Sequence, residues 1–111
     1  MFADESNELD ILAVVHDDRA RVEITGELDI NSAPRLIATL HDVAQPPVRH
    51  VDLDSRGVTF LDSTGLRALI VARNEATHLG VDLALVEPSP AVNRVIQMTG
   101  LAGLLTGARS A

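Results

Sequence analysis

At 111 residues with 46% apolar side chains, the chain has the length of one domain and enough core-forming residues to exclude disorder. Its net charge of -7 argues against binding to phosphate backbones or anionic membranes, and it holds neither Trp nor Tyr to stack on bases. The absence of cysteine removes disulfides, thiolate catalysis and Cys-type zinc sites together.

Residues 1–8 read as a flexible leader, acidic and without the features of a signal peptide. No apolar run approaches membrane-spanning length, so a soluble cytoplasmic protein is expected. ILAVVHDD reads as a strand closed by an Asp17-Asp18 turn, and RVEITGEL alternates apolar and polar residues, so the two form a hairpin. Asp29 to Ser32 is a polar loop. Ser32 is expected as the N-cap of a helix with Pro34 in its first turn and a stripe of Leu36, Ile37, Leu40, Val43 and Ala44. Pro46-Pro47 is expected to end it.

HVDLD is the next predicted strand, with SRGVTFL as the connection that follows. Its carboxylates, Asp52 and Asp54, predict a sheet with one face covered by helices and the other more open. A second helical stripe, Leu66, Leu69, Ile70 and Ala76, stops at Gly80. DLALV is a short strand. Ser89-Pro90 opens a third helix with the stripe Val92, Val95 and Ile96, ended by Gly100-Leu101. The order β-β-α-β-α-β-α predicts an α/β fold, a single four-stranded mixed sheet with parallel crossovers and helices mainly on one face. One domain is expected over 1–111, with a core of about 9–105 and flexible ends at 1–8 and 107–111.

Asp62-Ser63-Thr64-Gly65 interrupts an apolar run where a helix begins. Capping alone would account for one such polar residue. The same position also welcomes an anion, because a helix N-terminus carries partial positive charge and unpaired amides. Phosphate on Ser63 or Thr64 would be tolerated by the helix while facing any docked partner. Catalysis finds no support. The Asp-Ser-Thr-Gly run has one residue too many for an aspartic-protease triplet and no second copy, and His16, His41, His50 and His78 are each isolated from Ser63. No metal-ligand or phosphate-loop spacing occurs, so no catalytic or metal residue and no cofactor is expected.

Three segments together, VEITGELDINSAPRL, HVDLDSRGVTFLDSTGLRALI and EPSPAVNRVIQMTGL, resemble the STAS domain, and within it the bacterial anti-sigma factor antagonists. The resemblance runs from about Leu9 to Leu105. It implies a STAS fold and a transcription-regulating, stress-response phosphoprotein. Unphosphorylated, such a protein binds an anti-sigma factor that is also a serine kinase and so frees a sigma factor. The kinase spends ATP to phosphorylate it, and a phosphatase resets it. Carried onto this chain, Ser63 is the phosphoacceptor. Asp62, Thr64, Gly65 and Asp29 match motif positions around it, with Gly65 letting the loop turn closely. Arg67, Val71 and Asn74 are expected to complete the partner footprint. A monomer or weak dimer is expected. The alternative is a non-switched STAS scaffold or transporter-associated interaction subunit, against which the presence of Ser63 tells.

Overall fold

The computed structural model describes residues 9–99. The sheet begins with a hairpin: β1 (Asp10–His16) pairs antiparallel with β2 (Arg19–Leu28) without a register break. The turn is Asp17-Asp18, as expected, and Asp17 takes a positive φ of 58° that an Asp side chain tolerates. Helix α1 (Ala33–Val43) then returns the chain to β3 (His50–Leu61), which lies parallel to β2. Helix α2 (Ser63–His78) crosses to β4 (Asp82–Val86), parallel to β3, and α3 (Pro90–Thr99) packs back on β3. The sheet order is β1-β2-β3-β4, a four-stranded mixed sheet, as the element order predicts.

Register explains the two faces, because paired residues point to the same side. Ala20, Val22 and Ile24 of β2 stand beside Val51 and Leu53 of β3 and Leu83 and Leu85 of β4. These join Leu36 and Leu40 of α1, Leu69, Ala72 and Ala76 of α2 and Val92 and Ile96 of α3 in one buried cluster. The open face carries Arg21 and Glu23 opposite Asp52 and Asp54.

Some local expectations change, and the helix ends at Pro46, Gly80 and Ser89 hold. SRGVTFL is not a connection: β3 continues through it to Leu61, with register shifts that break the alternation. Asp54 is on the open face but only 2% exposed. Arg21 Nη2 and Arg56 Nη2 donate to its Oδ2 at 2.5 and 2.8 Å, and the Arg56 amide donates to Oδ1 at 2.9 Å. Two long side chains thus fold over a carboxylate that no helix among the described residues covers. Helix α1 ends at Val43, with Ala44 as its C-cap, two residues before Pro46. Gly80 follows α2 at φ 78°, a conformation glycine adopts freely. Ser89 caps α3: its Oγ accepts from the Val92 amide at 3.2 Å. The expected Gly100-Leu101 stop and both flexible ends lie outside the described residues.

Candidate functional site

The site forms where β2 and β3 end side by side, Leu28 paired with Leu61. Each strand then leads into a helix. After β3, Asp62 takes extended backbone angles and becomes the N-cap of α2. Its Oδ1 accepts from the Gly65 amide at 2.9 Å, and its carbonyl accepts from the Leu66 amide at 2.9 Å. Asp62 alone therefore meets the capping need, and Ser63 is not the cap. Ser63 occupies the first helical position, exposed, and Thr64 the second, half-buried. Their amides meet no acceptor among the described residues. Two free N–H groups at a positive helix end are the features that attract an anion.

Gly65 departs from its expected role. It is buried within the first turn of α2 and does not form a loop turn. A Cβ there would collide with the Leu28 carbonyl oxygen and would stand 2.7 Å from Leu61 Cδ1. Only glycine lets α2 start this close to both strand ends, so Gly65 positions Ser63 and offers no side chain to a partner.

The second loop is built by Asp29. Its Oδ1 accepts from the amides of Asn31 at 2.9 Å and Ser32 at 3.2 Å, the pattern of an Asp bracing a turn. The Ser32 hydroxyl does not cap α1. It donates to the Glu27 carbonyl at 2.8 Å and accepts from the Asp29 amide at 3.0 Å, tying the loop back to β2. One oxygen of Asp29 is thus committed within the chain.

Between the two loops α1 and α2 pack together and leave a shallow groove of about 230 Å³. Thr64, Arg67 and Val71 line it from α2, with Ile30, Pro34 and Ile37 opposite. The structure therefore gathers Ser63, Thr64, Arg67 and Val71 with Asp62 at one end of the molecule. Asn74, exposed, lies one turn further along α2 and outside the groove lining. Sequence reasoning missed two residues here. Ile30 is 68% exposed and Phe60, immediately before Leu61, is 45% exposed. The signal was available: each is a large apolar residue outside any stripe that a helix would bury.

No group of three or more metal-binding side chains occurs among the described residues, and no described helix is long and apolar enough to cross a membrane. The site thus brings together an exposed hydroxyl, a helix end, its cap and an apolar groove.

Comparison with known proteins gives the family. The chain is 29% identical over 97 residues to the anti-sigma-B factor antagonist of Staphylococcus epidermidis, covering 87% of this chain and 90% of that one. Its fold is similar to the crystal structure of an anti-sigma factor antagonist from Mycobacterium paratuberculosis, with a TM-score of 0.78 and 26% identity over 93% of this chain and 87% of the other. The anti-sigma factor antagonist SpoIIAA, in its unphosphorylated form, shares the fold at a TM-score of 0.73 and 22% identity, covering 91% and 92% of the two chains. These relatives carry the names of regulatory antagonists, not of enzymes. The family model for the STAS domain matches residues 10–110, almost the entire sequence, and the chain belongs to the STAS domain family.

Proposed function

We infer that the protein is an anti-sigma factor antagonist whose binding is switched at Ser63. The unphosphorylated chain holds an anti-sigma factor that is also a serine kinase, and a sigma factor is released. The kinase draws on ATP to phosphorylate Ser63, the complex separates, and a phosphatase resets the cycle. The observation that carries this reading is the division of labour at the start of α2: Asp62 caps the helix, and Ser63 is left exposed and free to react.

The chemistry supports a switch of the interface and not of the fold. A phosphate adds about -1.5 to -2 charge. At the first helical position it meets the Ser63 and Thr64 amides and the positive end of the helix dipole, which offset the cost to the folded chain. The partner receives no such compensation. It meets the new charge beside Asp62, over a groove whose apolar side chains, Ile30 and Val71, need a dry contact. Arg67 and Asn74 border this contact, and Asp29 offers its second oxygen to a basic partner residue. The net charge of -7 speeds approach to a basic docking surface.

The test is mass spectrometry after incubation with ATP and each anti-sigma kinase of the same genome. One added phosphate, mapped to Ser63 and lost in Ser63→Ala, is expected. A stable complex without phosphate would replace the switch with an unswitched binding subunit.

A further inference from the structure

The two edges of the sheet are treated differently. β4 is buried along Leu83, Ala84 and Leu85. β1 is the opposite: six of its seven residues are exposed, with Leu12 at 59%, Val14 at 57% and Val15 at 52%. An open edge strand presents unpaired N–H and C=O groups, and proteins that stay single blunt it with Lys, Pro or a bulge. β1 has none of these. Its sequence is DILAVVH, and its pairing with β2 runs unbroken.

We propose that β1 is the contact through which two copies of this chain pair, antiparallel, edge to edge. The sequence of the strand is complementary to itself. With Ala13 opposite Ala13 of the second copy, all seven residues find partners. Leu12 faces Val14 on the open side of the sheet and Ile11 faces Val15 on the helix side. At each end Asp10 faces His16, an acceptor opposite a donor. A shift by two residues to a Val14–Val14 centre sets Asp10 against Asp18 and Ile11 against Asp17. A shift to a Leu12–Leu12 centre leaves Val15 and His16 beyond the end of the partner strand. Only the Ala13 register uses the whole edge without placing like charges together.

The two-fold axis of this pairing is perpendicular to the sheet, so both helix layers stay on one side of a continuous eight-stranded sheet. The strands of the two copies run in opposite senses. The two Ser63 sites therefore lie at opposite ends, each open to its own partner. The association does not depend on the switch proposed above, and failure of either leaves the other standing.

Light scattering across a concentration series in about 0.15 M salt, where surface charges are screened beyond ~8 Å, tests the pairing. The mass is expected to rise from 11.8 kDa toward twice that value. Leu12→Lys is the informative variant. Within one chain Leu12 pairs across to Glu23, so the new ammonium gains a partner and the fold is kept, as an unchanged melting temperature will show. Between copies it faces Val14, twice per dimer, and weakens association by at least about tenfold. Register is tested separately: Asp10→Lys and His16→Asp each weaken pairing, and the double variant restores it. A chain that remains single up to about 1 mM, the weak end of specific association, overturns the proposal. So does a dimer indifferent to Leu12→Lys, or a double variant no better than its parents.

Discussion

At the scale of the residue, the start of α2 separates two duties that a Ser at a helix end would ordinarily combine. The Asp62 carboxylate binds the Gly65 amide, and the Ser63 hydroxyl is left with no structural task. Asp62→Ala should therefore lower stability by ~0.5–2 kcal/mol, the usual worth of an N-cap, while Ser63→Ala should leave it nearly unchanged. Urea unfolding of the two variants decides it, and an equal loss in both would return Ser63 to a structural role. The residue types at this site were legible in the sequence: a hydroxyl pair, a carboxylate and a glycine before a helical stripe. Their assignment was not. Asp62 and Ser63 are both good caps, and only the backbone angles of Asp62 decide between them. The close contact of Gly65 with the Leu28 carbonyl joins residues far apart in the chain, and no local pattern announces it.

At the scale of the element, β3 shows why a strand can be misread from its own residues. Its first half alternates, Val51 and Leu53 against Asp52 and Asp54, and was recognised. Its second half carries register shifts against β2, so polar and apolar residues fall out of step and resemble a loop. The shift also sets Ser55 fully inside with a hydroxyl that finds no partner among the described residues, and brings Arg56 around to Asp54. Burial pushes the Asp54 carboxyl up, but the hydrogen bonds from Arg56, with the charges of Arg56 and Arg21, outweigh it and hold the group below its ordinary value. A carboxyl lowered in the folded state contributes stability above its unfolded pKa, about 3.9, and loses it as pH falls toward the folded value. Asp54→Asn should cost on the order of 1–3 kcal/mol at pH 7, tempered by the partial exposure of both arginines. It should also flatten the acid limb of stability below about pH 5. Thermal melts of both proteins from pH 3 to 7 measure this. Parallel acid limbs would mean that other carboxylates set the acid sensitivity.

At the scale of the whole molecule, the order of elements and the sheet followed from periodicity and turn residues, because short connections and parallel crossovers leave few ways to arrange four strands and three helices. The exposed apolar residues were legible only in part. Ile30 and Phe60 stand outside any helical stripe, whereas the exposure of Leu12 and Val14 follows from the place of β1 at the edge of the sheet, which only the assembled fold shows. They divide between two ends of use. Ile30 and Phe60 flank the start of α2, and Leu12 and Val14 lie along the free edge of the sheet. The molecule thus places the proposed switch at the strand ends and the proposed pairing edge along β1.

Isothermal titration of the cognate anti-sigma factor with the unphosphorylated chain, and then with the chain stoichiometrically phosphorylated on Ser63, tests the switch most directly when paired with a melting curve of each form. The phosphorylated chain should bind at least about a hundredfold more weakly, a loss of ~2.7 kcal/mol, with its melting temperature unchanged. Equal affinities, or a loss of binding accompanied by a loss of fold, would contradict a switch that acts on the interface.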